Sequence, residues 1–316
     1  MKTKIIYALV SGEADYYVEQ TLLSVYSLRK YNSNVVVELV VDNTTYNNLT
    51  DGRAIIKQWV NDIHIVEIPD DYTNIQKSRY IKTKLRHFVE GDYLFVDCDT
   101  IICDDLSEID KVDAEIAMVA DLNDGLLLYD KATLKKYSDA GFGNAEGLPY
   151  FNSGVIYAKD TKDVHNFYNV WYENWKQSSA CGIMYDQPAL CVTNVRFAQI
   201  IKELSGVWNC QFKMQGFPFL KDAKIMHYYS NNGDNRGCFS LPMDMLFHNI
   251  REHGFTPLLD NLVSHAKTDF YAVMTVNKEQ AIDFFNSHFL YLYTNRPKLF
   301  YFLDKLGKFL EKPIYI

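Results

Sequence analysis

Near the start of the chain, short apolar runs alternate with segments of helical periodicity, and this alternation limits the fold more than any other feature. Lys4 to Val10 is β-rich and ends at Ser11-Gly12, a strand running into a turn. Tyr17 to Lys30 carries Val18, Leu22, Val25 and Arg29 at helical spacing, with Tyr26 and Leu28 alongside. Val35 to Val41 reads as a second strand, apolar apart from Glu38. A helix near Gly52 to Val60 and a strand over Ile63 to Ile68 follow. A helix over Ser78 to Val89 then feeds the apolar run Tyr93-Leu94-Phe95-Val96. The order β-α-β-α-β-α-β predicts a mostly parallel α/β sheet with right-handed crossovers.

The last of these runs ends in Asp97-Cys98-Asp99. Open α/β sheets bind ligands just beyond the carboxyl ends of their strands. In extended backbone, residues i and i+2 point the same way, so Asp97 and Asp99 converge while Cys98 points away. Two converging carboxylates with nothing to neutralise them repel each other. A hard divalent cation removes that cost and accepts phosphate oxygens.

Further along, Ile116 to Ala120 reads as a strand ending at Asp121, and residues 139–149 as a Gly-rich loop. Gly154 to Ala158 is a strand, Asp160 to Gln177 an aromatic helix, and Asp186 to Thr193 the start of another helix. Ile225 to Tyr229 is a late strand carrying His227. No internal repeat is present.

The chain has 316 residues and is 48% hydrophobic, enough for a substantial core. A net charge of -8 argues against a nucleic-acid partner held by bulk electrostatics, and an acidic protein that handles nucleotides needs a local cationic device. The six cysteines are irregularly spaced with no CxxC pair, which reads as reduced thiols in a cytoplasmic protein. The N-terminal apolar stretch is too short for a signal peptide and reads as the first strand. No segment reaches the roughly 18 apolar residues of a membrane span.

With these segments in view, the sequence resembles the family 8 glycosyltransferases, which include glycogenin and bacterial lipopolysaccharide galactosyl- and glucosyltransferases. The resemblance rests on YALVSGEADYY, SRYIKTKLR, the D-x-D at Asp97 and Asp99, the strand ending at Asp121, PYFNSGVIY, MYDQPAL and KIMHYYS, in the family's order over residues 4 to 240. It implies a GT-A fold: a Rossmann-like, mostly parallel central sheet with flanking helices. It also implies a metal-dependent transfer of a hexose from a UDP-sugar with retention. Implied nucleotide contacts are Ala8, Leu9, Ser11, Tyr16, Arg79, Lys82, Asp97 and Cys98. Asp121, Asn152 and Ser153 are implied at the donor sugar. Asp97, Asp99 and His227 are the implied metal ligands, and Asp186 and Gln187 the implied catalytic pair.

Several of these residues also have a plainer reading. Arg79, Lys82 and Arg86 share one helical face, which fits either phosphate contacts or a solvated basic surface. Asn152 and Ser153 fit a turn that caps a strand. Asp186 fits an N-cap, with Pro188 in the first turn. Two carboxylates and one imidazole suit Mn²⁺ better than Mg²⁺, which is the second candidate. The family's H-x-x-G-x-K-P-W continuation is absent after His227. Arg236 is the candidate substitute for its lysine.

The last segment, HFLYLYTNRPKLFYFLDKLGKFLEKPIYI, mixes aromatics with Arg296, Lys298, Lys305, Lys308 and Lys312. Its helix from Pro297 reads equally as a peripheral contact with an anionic membrane or as a helix packed on the core or on a second subunit. The expected organisation is a catalytic domain over residues 1–245 and a helical, aromatic and basic segment over 246–316. The expected partners are a UDP-sugar and a glycan or lipid-linked acceptor in bacterial surface polysaccharide synthesis. Two rival readings are a catalytically silent nucleotide-sugar binder and a haloacid-dehalogenase-type phosphatase. The phosphatase motif also ends an apolar strand with D-x-D, but it lies nearer the N-terminus and places its Thr or Val one residue later than Thr100.

Overall fold

A computed structural model describes residues 1–123, 131–142, 148–212, 216–228, 243–269, 274–277, 280–282, 292 and 296–310. The alternation of the sequence is realised as β1 (Lys4–Leu9), α1 (Tyr17–Tyr31), β2 (Val37–Asp42), α2 (Asn43–Asn47), a 3-10 turn over Asp51–Ile55, α3 (Ile56–Trp59), β3 (Asp62–Val66), α4 (Asn74–Phe88) and β4 (Tyr93–Val96). Then follow β5 (Thr100–Ile102), β6 (Ile116–Ala120), α5 (Lys131–Asp139), β7 (Phe151–Ala158), α6 (Lys162–Ala180), α7 (Gln187–Arg196), β8 (Ile201–Leu204) and β9 (Ile225–His227). Helices α8 (Met243–His253) and α9 (Pro257–Ser264) come next, and a further helix spans Pro297–Leu310.

The central sheet has seven strands in the order β3-β2-β1-β4-β7-β6-β8. β1 is parallel to β2 and β4, β2 to β3, and β6 to β8, whereas β7 is antiparallel to both β4 and β6. That reversal decides where the site forms. It brings the N-terminal end of β7 to the same sheet edge as the C-terminal ends of β1, β4 and β6. Asn152 and Ser153 are therefore strand residues at that edge, not a turn before a strand that starts at Gly154. β5 and β9 form a separate antiparallel pair, with Thr100 opposite His227.

Side chains alternate across the sheet, so each face has its own core. Ile5, Tyr7 and Leu9 pack with α1 on one face; Ile6, Val40 and Phe95 pack with α4 and α6 on the other. Leu246, Phe247 and Ile250 of α8 and Leu259, Leu262 and Val263 of α9 enter the first cluster. Glu38, the charged residue of β2, is accommodated by Lys4 at 2.6 Å and His64 at 2.9 Å.

Helix α4 begins four positions before the expected Ser78. Thr73 and Gln76 form a capping box that satisfies orphan backbone donors, a Thr-x-x-Gln pattern the periodicity alone passes over. Arg86 leaves the expected basic face. It is buried, donates to the Gly91 carbonyl at 2.8 Å and lies over the Tyr93 ring, which makes it a structural residue. Among the described residues no helix is long and apolar enough to cross a membrane. In the helix Pro297–Leu310, Phe300 packs on the core and the Tyr301 hydroxyl donates to the Pro218 carbonyl, while Leu299, Phe302, Leu303 and Leu306 are exposed.

Candidate active site

A cavity of about 350 Å³ opens at the sheet edge where β1, β4 and β7 meet, a size suited to a small ligand. The structure brings most of the expected residues to it: Ala8 and Leu9 from β1, Arg79 and Lys82 from α4, and Asp97, Cys98 and Asp99 after β4. Asn152 and Ser153 come from β7, Asp186 and Gln187 from the start of α7, and His227 from β9.

Asp97, Asp99 and His227 each offer a ligand atom, all within 4.8 Å of one another. The two aspartates converge, but not as extended strand: β4 ends at Val96, and residues 97–99 form a bend before β5. Nor are they unneutralised. Lys82 lies 2.7 Å from Asp97, and His227 Nε2 lies 3.2 Å from Asp99. Burial works against the His227 imidazolium, but Asp99 and Asp97 outweigh it and raise the pKa above the ordinary value. Burial pushes the Cys98 thiol up to about 12, and Cys98 Sγ faces the Ala8 carbonyl at 3.5 Å. Two carboxylates and an imidazole fit a divalent cation.

The imidazole is oriented by a buried chain of amides. The Gly154 N–H, which can only donate, meets Asn152 Oδ1 at 2.9 Å, so Asn152 Nδ2 donates to Asp121 Oδ1, also at 2.9 Å. Asn209 Nδ2 donates to Asn152 Oδ1 at 2.8 Å, which leaves Asn209 Oδ1 facing His227 Nδ1 at 3.0 Å. Nδ1 must then carry the hydrogen, and Nε2 is the atom presented to Asp99. Gly154 is required here for space: a Cβ would lie 2.5 Å from His227 Cε1. Nothing in the local sequence marks Asn209. Asn209→Ala is expected to weaken Mn²⁺ binding by about 10- to 100-fold, the usual cost of losing a partner that orients a ligand, as measured by calorimetry.

Asp186 flanks α7, but its side chain makes no capping hydrogen bond. It turns into the site instead, with Oδ1 3.1 Å from Arg79 Nε, while its buried Oδ2 has no hydrogen-bond partner among the described residues. Burial alone would raise its pKa, but Arg79 and Lys82, with the nearby Ser153 hydroxyl, hold it below the usual carboxylate value. Gln187 is tethered by donating Nε2 to the Phe151 carbonyl at 3.3 Å.

Three expected residues stand outside the cavity lining. Ser11 is buried, its N–H donating to Thr45 and its hydroxyl to Asp15. The Tyr16 ring is covered by Arg251, 4.5 Å from its centroid, and packs near Phe247. Asp121 anchors Asn152 rather than lining the cavity. Tyr17, Gln20, Asn74 and Tyr185 do line it and were not singled out in the sequence. Arg236 lies outside the described residues.

The profile of glycosyl transferase family 8 matches residues 8–234. The chain belongs to this family. Among solved structures, galactosyltransferase LgtC in complex with donor and acceptor sugar analogs has a TM-score of 0.53 at 15% identity, covering 88% of this chain and 98% of that one. The bifunctional glycosyltransferase WbbM has a TM-score of 0.55 at 17% identity, covering 82% of this chain and 51% of that one. GlyE of Streptococcus pneumoniae TIGR4 has a TM-score of 0.51 at 16% identity, covering 88% of this chain and 67% of that one. An active-site variant of LgtC with glutamine changed to glutamate has a TM-score of 0.53 at 14% identity and covers 88% of this chain and 98% of that one. No curated protein matches the sequence. The protein is thus a glycosyltransferase of GT-A fold, and family membership sets aside the phosphatase reading.

Proposed function

We propose that this glycosyltransferase transfers a hexose, glucose or galactose, from a UDP-sugar to a glycan or lipid-linked acceptor, with retention and with a divalent metal. The observation that carries the reading is the convergence of Asp97, Asp99 and His227 in the same cavity as Asp186 and Gln187. A sugar-nucleotide reaction needs a diphosphate site and a sugar site side by side, and these two groups supply them. LgtC, whose fold this chain shares, is a galactosyltransferase seen in complex with donor and acceptor sugar analogs, and an active-site variant of it replaces a glutamine.

A divalent cation held by Asp97, Asp99 and His227 would supply Lewis-acid neutralisation of the departing diphosphate. Arg79 and Lys82 add fixed positive charge on the same side of the cavity. Asp186, ionised and dry, holds donor-sugar hydroxyls, together with Asn152 and Ser153. Gln187 lies beside the anomeric carbon. A carboxamide is a poor nucleophile, so the acceptor attacks from the face the diphosphate leaves. The leaving phosphate oxygen takes the acceptor's proton as the glycosidic bond breaks.

The test is nucleotide release from UDP-, GDP- and CMP-sugars with and without Mn²⁺. Mn²⁺-dependent release of UDP from one hexose donor is the expected result. Release from a GDP- or CMP-sugar instead would replace the donor assignment. UDP binding without release from any donor, even with glycan acceptors added, would favour the silent binder. Absence of UDP binding would sink the reading.

A further inference from the structure

Glu19, in the first turn of α1, is fully buried and is clamped by two arginines from different parts of the chain. Arg53, in the 3-10 turn, donates Nε to Oε1 at 2.7 Å and Nη2 to Oε2 at 3.1 Å. Arg251, near the end of α8, makes the matching pair at 2.8 and 3.0 Å. The remaining guanidinium donors reach the loop between β1 and α1. Arg53 donates to the Gly12 carbonyl at 2.8 Å and to the Asp15 carbonyl at 2.6 Å. Arg251 donates to the Glu13 carbonyl at 3.3 Å and also to the Asp15 carbonyl. Asp15 closes the same loop from within, accepting from the Gly12 N–H at 2.7 Å and the Tyr17 N–H at 3.2 Å.

This loop is framed by cavity residues, Val10 on one side and Tyr17 on the other, with Gln20 one turn further along α1. Its backbone is therefore held from behind by α8. The approach of α8 is close: a Cβ on Gly52 would lie 2.8 Å from the Arg251 carbonyl oxygen. Burying one carboxylate under two bidentate guanidinium groups is specific to arginine, because a lysine cannot make the fork. Surface charge pairing does not call for such an arrangement.

We infer that Arg251 is a positioning residue for donor binding: through Glu19, Arg53 and the loop carbonyls, α8 sets the nucleotide-facing loop before the ligand arrives. The inference rests on the UDP-sugar reading of the cavity. Preorganising a loop lowers the ordering cost that binding would otherwise carry. Loosening the clamp should therefore weaken nucleotide binding and leave the metal ligands, which sit in the bend between β4 and β5 and on β9, undisturbed.

The experiment compares the full chain with Arg251→Lys and Gly52→Ala. The first keeps the charge but loses the fork; the second displaces α8 without touching any charge. Calorimetry would measure UDP affinity in saturating Mn²⁺, and electron paramagnetic resonance would measure binding of Mn²⁺ alone. About a tenfold loss of UDP affinity in both folded variants, with Mn²⁺ affinity unchanged, is the expected result. Wild-type UDP affinity in the variants would overturn the inference, as would parallel losses of both affinities, which mark general destabilisation. If Arg251→Lys fails to fold, Gly52→Ala decides the matter by the same criteria. Absence of UDP binding in the wild-type chain would overturn the donor reading itself, a result distinct from failure of the clamp.

Discussion

Replacing Asp99 with alanine is expected to lower Mn²⁺-dependent UDP release by at least about 10²- to 10³-fold, the scale seen when one electrostatic group at a developing charge is lost. Asp99 shares the cation position with Asp97 and lies 3.2 Å from His227 Nε2. Without the carboxylate, His227 no longer has the neighbour that raises its pKa most. The variant should therefore bind Mn²⁺ weakly and show less pH dependence in doing so. In the wild-type protein, proton and cation compete for the same imidazole nitrogen. Because the pKa of His227 is raised above its ordinary 6.5, Mn²⁺ affinity should climb as pH rises above that value and fall on acidification. Metal titrations of both proteins at several pH values check this. Equal affinity and an equal pH profile in Asp99→Ala would remove Asp99 from the ligand set. The amide chain through Asn209 fixes which nitrogen takes part, so the competition is at Nε2 and not at Nδ1.

The parts of this site that local pattern can encode were legible in the sequence. An apolar run ending in two aspartates marks a strand end, and the alternation of runs marks the sheet edge at which ligands collect. The parts that depend on long-range pairing were not. His227 meets Asp99 because β5 pairs with β9, and Asn152 faces the cavity because β7 reverses direction. Neither fact has a local signature. Tyr16 and Tyr17 differ by one residue, about 100° around a helix, so which ring faces the ligand depends on the frame set by the loop before α1. That frame is held by Arg251, a residue far along the chain. The α4 start shows the opposite case: its capping box was present in the sequence, and apolar spacing alone missed it. Arg86 reads as a third member of a basic face, yet the carbonyls of Val89 and Gly91 draw it into the core.

Asp186→Asn gives the second large effect. UDP release is expected to fall by at least about 10²-fold, while UDP affinity changes by no more than about threefold, because the residue serves the sugar rather than the diphosphate. The expectation comes from the state of the carboxylate. It is buried beside the cavity that it helps to line, kept ionised by Arg79 and Lys82, and has one oxygen with no hydrogen-bond partner among the described residues. Burying an unpartnered carboxylate oxygen is costly, and a sugar hydroxyl would relieve that cost. Asparagine matches the shape but removes the charge that balances Arg79. The Arg79 side chain is 28% exposed, so the loss of stability should be about 1–2 kcal/mol, below that of a fully buried pair. Calorimetric UDP affinity, release rates and thermal midpoints separate these effects. A double-mutant cycle with Arg79→Met then divides the two roles of the carboxylate. If Asp186 acts only as the counter-ion of Arg79, the double variant should regain the release rate of Arg79→Met alone. If Asp186 holds the donor sugar, the rate loss persists in the Arg79→Met background, because the unpartnered oxygen is removed whether or not the guanidinium is present.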